Sequence, residues 1–257
     1  MISHLPEAGS LMLQKLITYG PYVASTFLQV ALVAVILHRR LWKRLGDILL
    51  YVTALLLIDG AARSFVLHRY GLSSDQYAYT FWLTDVLLTL VAFLVVCSLF
   101  RRACRHEEKM WRFLRIFLAL VLILVLGISS TSLAHNYDNL FSYFIVEFQQ
   151  NLYFTCLVLN TLLYVLMQQT QNADEELGLL VTGMGIQFAG PAAGLALAYL
   201  TRGQEFSRSL AAYLGPLCTI GMLLTWFYAV TRMPQESRVP ARDERVKSWE
   251  VVAPRQA

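Results

Sequence analysis

The sequence predicts an all-α polytopic membrane protein with seven transmembrane helices. Three observations carry that reading. Apolar residues make up 57% of the 257 and charged residues only 15%, against roughly 25% charged in an ordinary soluble domain. The apolar residues gather in long blocks, each near the ~20 residues that take a helix across about 30 Å of hydrocarbon. None of the blocks alternates with the two-residue period of a membrane β-strand, and lipid admits only helices or closed barrels because every backbone polar group must be satisfied internally.

The seven blocks fall near 22–38, 48–67, 78–100, 113–133, 142–167, 178–200 and 208–230. They divide the chain into an extracytoplasmic N-terminal segment (1–21), a seven-helix transmembrane domain (22–232) and a cytoplasmic tail (233–257). The first ten residues, MISHLPEAGS, lack the basic region of a cleaved signal peptide. The next stretch, SLMLQKLITYG, stands ahead of Pro21. Its apolar residues suit either an outer-surface segment or an extension of the first helix. The tail is rich in charge and proline, the composition of a mobile segment, and is too short for an enzymatic output domain.

Lysine and arginine set the expected orientation. The loop after the first span carries Arg39, Arg40, Lys43 and Arg44, and the loop after the third carries Arg101, Arg102, Arg105, Lys109, Arg112 and Arg115. The tail adds Arg232, Arg238, Arg242, Arg245, Lys247 and Arg255, whereas the other face has Lys15, Arg69, Arg202 and Arg208. The positive-inside rule then puts the N-terminus outside and the C-terminus in the cytoplasm of a bacterial cell membrane. The formal charge of +4 reads as this topology signal, with the lipid bilayer as partner and no nucleic acid implied. A cytoplasmic partner meeting the basic loops is a further reading of the same residues. The loop QQTQNADEELG between spans five and six has no basic residue. There Asn172 reads as an N-cap, with Glu175 three residues on.

Charges inside the spans are the candidate site. Asp59 and Arg63 stand one helical turn apart in span two, with the acid N-terminal, the better order for an ion pair. At 1.5 Å per residue Asp59 lies about 6 Å deeper than Arg63, and Asp85 in span three about 10 Å below the outer boundary. Glu147 in span five falls at a similar level. Intramembrane charges are costly, so they face the bundle interior, an aqueous cavity or a partner.

One arginine does not balance three carboxylates, which implies protonation, a cation or basic ligand, or water entering from outside. Glu147, Gln150, Asn151 and Phe154 recur at three- and four-residue spacing along one face of span five. Trp82 shares a face with Asp85, and Tyr79, Trp82 and Phe154 are candidate aromatic walls. Gln187 in span six and Gln29 in span one extend the polar set inward. Arg63 is expected either to meet an anionic group or to hold Asp85 and Glu147. A purely structural network is the competing reading, since membrane helices also pack through interhelical hydrogen bonds. In span six, Gly190 and Gly194 form GxxxG around Pro191, with Ala189 and Ala193 beside them. That pattern suits close packing, or a hinge.

The runs QQNLYFTCLVLNTLLYVLM, LLVTGMGIQFAGPAAG and YAYTFWLTDVLLTLVAFLVV, the last followed by the arginine pair 101–102, resemble a family of uncharacterised bacterial seven-helix membrane proteins. The resemblance spans about 77–232. It implies the same topology and no mechanism.

Known chemistries of seven-helix proteins find little purchase. The seventh span has no lysine for a retinal Schiff base. His4, His38, His68, His106 and His135 lie in the tail, loops or span ends, none at ligand spacing for zinc or haem. A GxSG-like serine with an adjacent base is absent, and the four cysteines form no CxxC. The expected protein is therefore no enzyme and needs no cofactor. It is a small-molecule, lipid or ion binding or sensing protein with a polar pocket on the outer side. A proton- or cation-coupled transporter and a structural or assembly protein are the alternatives. The absence of a visible repeat counts against transport.

Overall fold

The computed structural model describes residues 5–71, 74–105, 108–131, 140–169, 174–200 and 205–232; the tail after Arg232 and Asn172 lie outside them. The described chain is helical throughout: α1 (Leu5–His38), α2 (Gly46–Leu55), α3 (Arg63–Tyr70), α4 (Asp75–Ala103), α5 (Glu108–Thr131), α6 (Leu140–Gln169), α7 (Glu175–Leu200) and α8 (Glu205–Arg232). A short 3-10 turn, Leu41–Lys43, precedes α2, and a π-helical segment, Leu56–Ala62, joins α2 to α3 into one span. Seven of these stretches are long and apolar enough to cross a membrane: Gly20–His38, Gly46–Tyr70, Asp75–Ala103, Glu108–Ser130, Glu147–Gln169, Glu175–Gly194 and Tyr213–Arg232. That is the make-up of a multi-pass membrane protein.

Helix α1 settles the alternative left open at its start, because it runs without a break through Pro21. The boundary expected at 21/22 therefore falls inside a helix. At its other end Arg40 takes a left-handed conformation (φ 54°) and stops the helix. Helix α4 starts on Ser74, whose hydroxyl accepts the Tyr77 N–H at 3.2 Å. For α7 the cap is Asp174, which accepts the Leu177 N–H at 3.2 Å, with Glu175 and Glu176 in the first turn. Both acids suit the positive end of the helix dipole.

Six spans close into a ring. In order around it, α1 packs on α8, α8 on α7, α7 on α6, α6 on α4, α4 on the α2 span, and that span on α1. Helices α4 and α7 also touch across the ring, and α5 packs outside it against α6 and α4. The outward position of α5 suits its surface, where Phe113, Ile116, Leu120, Ile123 and Leu124 are exposed. A ridge of bare apolar side chains has no place in water but is ordinary against lipid.

Span six makes its closest approach to span seven. A Cβ at Gly190 would stand 2.8 Å from Cys218 Cβ and Sγ, and one at Gly183 would stand 2.6 Å from Trp226 Cδ1. Glycine at 183 lets the Trp226 indole N–H reach the Leu180 carbonyl at 3.0 Å, and glycine at 190 makes room for Cys218. The small residues of span six thus serve packing, by the pair 183 and 190, one helical heptad apart. Hydroxyls within the spans turn back on their own helices, as Thr89 does to the Asp85 carbonyl (2.8 Å) and Thr225 to that of Gly221 (2.8 Å). This satisfies them where water is scarce.

Candidate functional site

Near the end of the bundle where α3 meets the start of α4, one guanidinium joins two spans. Arg63 Nη1 donates to Asp59 Oδ1 at 2.8 Å and Nη2 to Asp85 Oδ1 at 2.8 Å. Its Nε donates to Thr84 Oγ1 at 3.1 Å, and Nη2 also reaches the Phe81 carbonyl at 3.4 Å. The plane of the group lies over the Phe81 ring, 4.3 Å from the centroid, a favourable cation–π placement. Arginine suits such a site because its rigid fork presents several donors to separate acceptors at once.

Local backbone geometry positions this fork. Asp59 sits inside the π segment, and the Arg63 N–H bonds the Ile58 carbonyl five residues back. The spacing in sequence predicts an ordinary α-helix over this stretch, so the π turn is a departure from it. Single π turns are rare and recur at functional sites. Residues 81, 84 and 85 occupy neighbouring positions on one side of α4, so the ring, the hydroxyl and the carboxylate meet Arg63 together.

By formal count the site holds two carboxyl groups to one guanidinium. Asp85 is held on both oxygens, by Arg63 and by Gln149 Nε2 from α6. Among the described residues Asp59 is held only through Oδ1, and its side chain is 38% exposed against 16% for Arg63. Arg63 is largely occupied within the protein, so the open valence of the site is a carboxylate oxygen. An incoming positive group or hydrogen-bond donor meets an acceptor there, whereas an anion meets a guanidinium already engaged.

Of the residues singled out in the sequence, Asp59, Arg63 and Asp85 come together. Glu147 does not; it has neither an ion pair nor a hydrogen bond among the described residues, so Arg63 balances two carboxylates rather than three. Asn151 faces another neighbour, donating to Ser129 Oγ on α5 at 3.2 Å. Gln150 is half-buried and makes no hydrogen bond to the cluster among the described residues. Trp82 is exposed, edge-on to Phe81 at 5.7 Å. Tyr79 and Phe154 are exposed as well. Gln187 is buried deeper, where its backbone carbonyl accepts from the Tyr153 hydroxyl at 3.4 Å. Gln29 is buried against Ser25 of its own helix at 3.1 Å.

Sequence reasoning missed Gln149, Thr84 and Phe81. For Gln149 a signal existed. Residues 149, 153, 156 and 160 recur at four, three and four and share a face with buried Leu163 and Met167. The stripe 147–150–151–154 is the more polar one; in it Asn151 reaches α5 and Phe154 is exposed.

A second ionic cluster lies at the opposite, arginine-rich end. Glu176 on α7, its side chain 8% exposed, bonds Arg44 at 2.7 Å and Arg102 at 3.1 Å. The acid of the basic-free loop thus ties the arginines of two other loops to span six. Nearby, Arg39 Nη1 donates to the carbonyls of Val230 and Thr231 at 3.0 and 3.2 Å, satisfying the end of α8.

No protein-family model matches the chain, and no curated protein or solved structure shows significant similarity to it.

Proposed function

We infer that the protein binds a small cationic ligand or cation at the Asp59–Arg63–Asp85 site, and that it works as a sensor or receptor. It sits as a seven-helix protein in a bacterial cytoplasmic membrane, N-terminus outside and C-terminus in the cytoplasm, among the uncharacterised family it resembles. The orientation rests on the arginines and lysines gathered at one end. It puts the site on the outer side, within reach of solutes.

The observation that carries the reading is the charge count: two carboxylates meet one arginine, and the less buried carboxylate keeps an oxygen free. Charge of this kind inside a membrane span is costly unless it serves a ligand or pathway. Binding rather than catalysis is favoured, because the groups present hold charge and offer no nucleophile paired with a base.

A structural role has one specific observation in its favour. Arg63 bridges span two to span three with four partners, as a clamp would. The two readings separate in mass spectrometry of compounds retained by purified wild type, Asp59→Asn and Arg63→Ala, matched for monodispersity. A positively charged compound kept by wild type and lost from folded Asp59→Asn supports binding. Retention of the same compounds by both contradicts it.

A further inference from the structure

Between α4, α6 and α7 a line of polar side chains continues from the ionic site into the bundle. Gln149 bonds Asp85, and Tyr153, one turn further along α6, bonds the Gln187 carbonyl. Cys156 follows, fully buried, and then Asn160, whose amide donates to the Val181 carbonyl at 3.1 Å. From Gln149 to Asn160 the line covers about 16 Å of helix, roughly half the hydrocarbon thickness.

Two of these side chains carry unanswered acceptors. Asn160 and Gln187 are 6% and 8% exposed, and Asn160 Oδ1 and Gln187 Oε1 are buried without a hydrogen-bond partner. The Asn160 assignment is fixed by its donor, since its nitrogen faces a carbonyl. Both orphans are oxygens, so the missing partner is a donor. Beyond Asn160 the lining becomes apolar. Leu163 and Met167 of α6 and Leu177 of α7 belong to one buried cluster, on the way to Glu176.

We propose that this line is a hydrated half-channel: bound water runs from Asp85 past Gln149, Tyr153 and Gln187 to Asn160, and stops at the Leu163–Met167–Leu177 plug. Water supplies the donors the two amide oxygens lack, as buried waters do for polar groups that find no protein partner. The half-channel links the ionic site to the middle of the bundle and gives Asp85 a water route for proton exchange from its inner side. This goes beyond the proposed ligand site and does not depend on it.

Radiolytic hydroxyl-radical footprinting of the full chain in lipid nanodiscs, read by mass spectrometry, tests the proposal, because radicals form from water where it is bound. Cys156 and Tyr153 are expected to oxidise several-fold faster than Met222, which is equally reactive in kind and fully buried on α8. In Gln187→Leu, with folding verified by monodispersity, labelling of Cys156 falls toward the Met222 level. Labelling of Cys156 and Tyr153 no faster than Met222 in the wild type shows a dry interior and overturns the proposal, whatever the variant does. Strong labelling of Met167 would remove the plug and overturn the half-channel in favour of a continuous pore.

Discussion

Gly183 leaves no room for a side chain beneath Trp226: a Cβ there would lie 2.6 Å from the indole Cδ1, and the indole N–H passes over it to the Leu180 carbonyl. Tryptophan pays for its bulk only when its one donor finds an acceptor in the core. Gly183→Ala should therefore cost about 1–3 kcal/mol by overpacking, seen as a lower thermal midpoint in detergent. Gly127→Ala on α5, where a Cβ meets nothing within 4 Å, should leave the midpoint unchanged or slightly raised.

The clamp at Arg63 should be more sensitive to loss of the arginine than of either acid. Arg63→Ala leaves Asp59 and Asp85 facing each other without a cation at a part-buried site, and should cost more than about 1 kcal/mol, toward the roughly 3–5 kcal/mol of a fully buried pair. Asp59→Asn keeps a hydrogen-bond acceptor for Arg63 at a more exposed position and should cost about 1 kcal/mol or less. Chemical or thermal unfolding of the two variants checks the order; equal losses would mean that the Asp59 carboxylate is needed by the clamp as much as the arginine itself.

Gln149 and Gln150 are neighbours in sequence with different duties. Gln149→Ala removes the donor to the second oxygen of Asp85 and should destabilise by about 1–3 kcal/mol, the range for a partner of a charged group. Gln150→Ala should stay within about 0.5 kcal/mol, the usual scatter for a position with no such feature. Melting curves of the two single variants decide between this assignment and the reverse.

At the arginine-rich end, Glu176 has two partners of unequal weight. Arg44 is 49% exposed, and Arg102 only 20%. Arg44→Ala should therefore cost less than about 1 kcal/mol, while Arg102→Ala approaches the loss seen for Glu176→Gln. High salt should weaken the Arg44 contribution first. A double-mutant cycle on each pair measures both.

Topology has its own check. Reporter fusions at Asn136 and after the C-terminus should report opposite sides of the membrane. The same side at both would remove the seven-span arrangement.

Much of the architecture was legible because lipid imposes a simple constraint: a block of about 20 apolar residues announces itself, and all seven spans carry one. The Asp59–Arg63–Asp85 group was legible for the same reason, as charge stands out against an apolar span. Which face of a span points inward was harder to read. On α6 the buried residues Phe148, Leu152, Cys156, Asn160 and Leu163 stand beside half-buried Gln149, so polarity alone did not separate the two stripes. Glu147, the strongest single signal there, is half-buried and joins no ion pair among the described residues. The π segment had no sequence mark, since nothing in LLIDGAA distinguishes it from an α-helical run. Glu176 escaped notice because its partners come from loops 74 and 132 residues away, a separation that periodicity within one helix does not report.

On the proposed function, the carboxylate left over beside Arg63 receives a positive group. The most direct test is the thermal midpoint of wild type and Asp59→Asn in nanodiscs, across a panel of monovalent cations, divalent cations and small amines. A ligand that binds only the folded state raises the midpoint with a saturable concentration dependence. Wild type is expected to show such a rise for at least one member of the panel, and Asp59→Asn to lose it at unchanged fold. A response identical in both proteins, or none in either across the panel, would contradict the proposed function and leave Arg63 as a clamp between two helices.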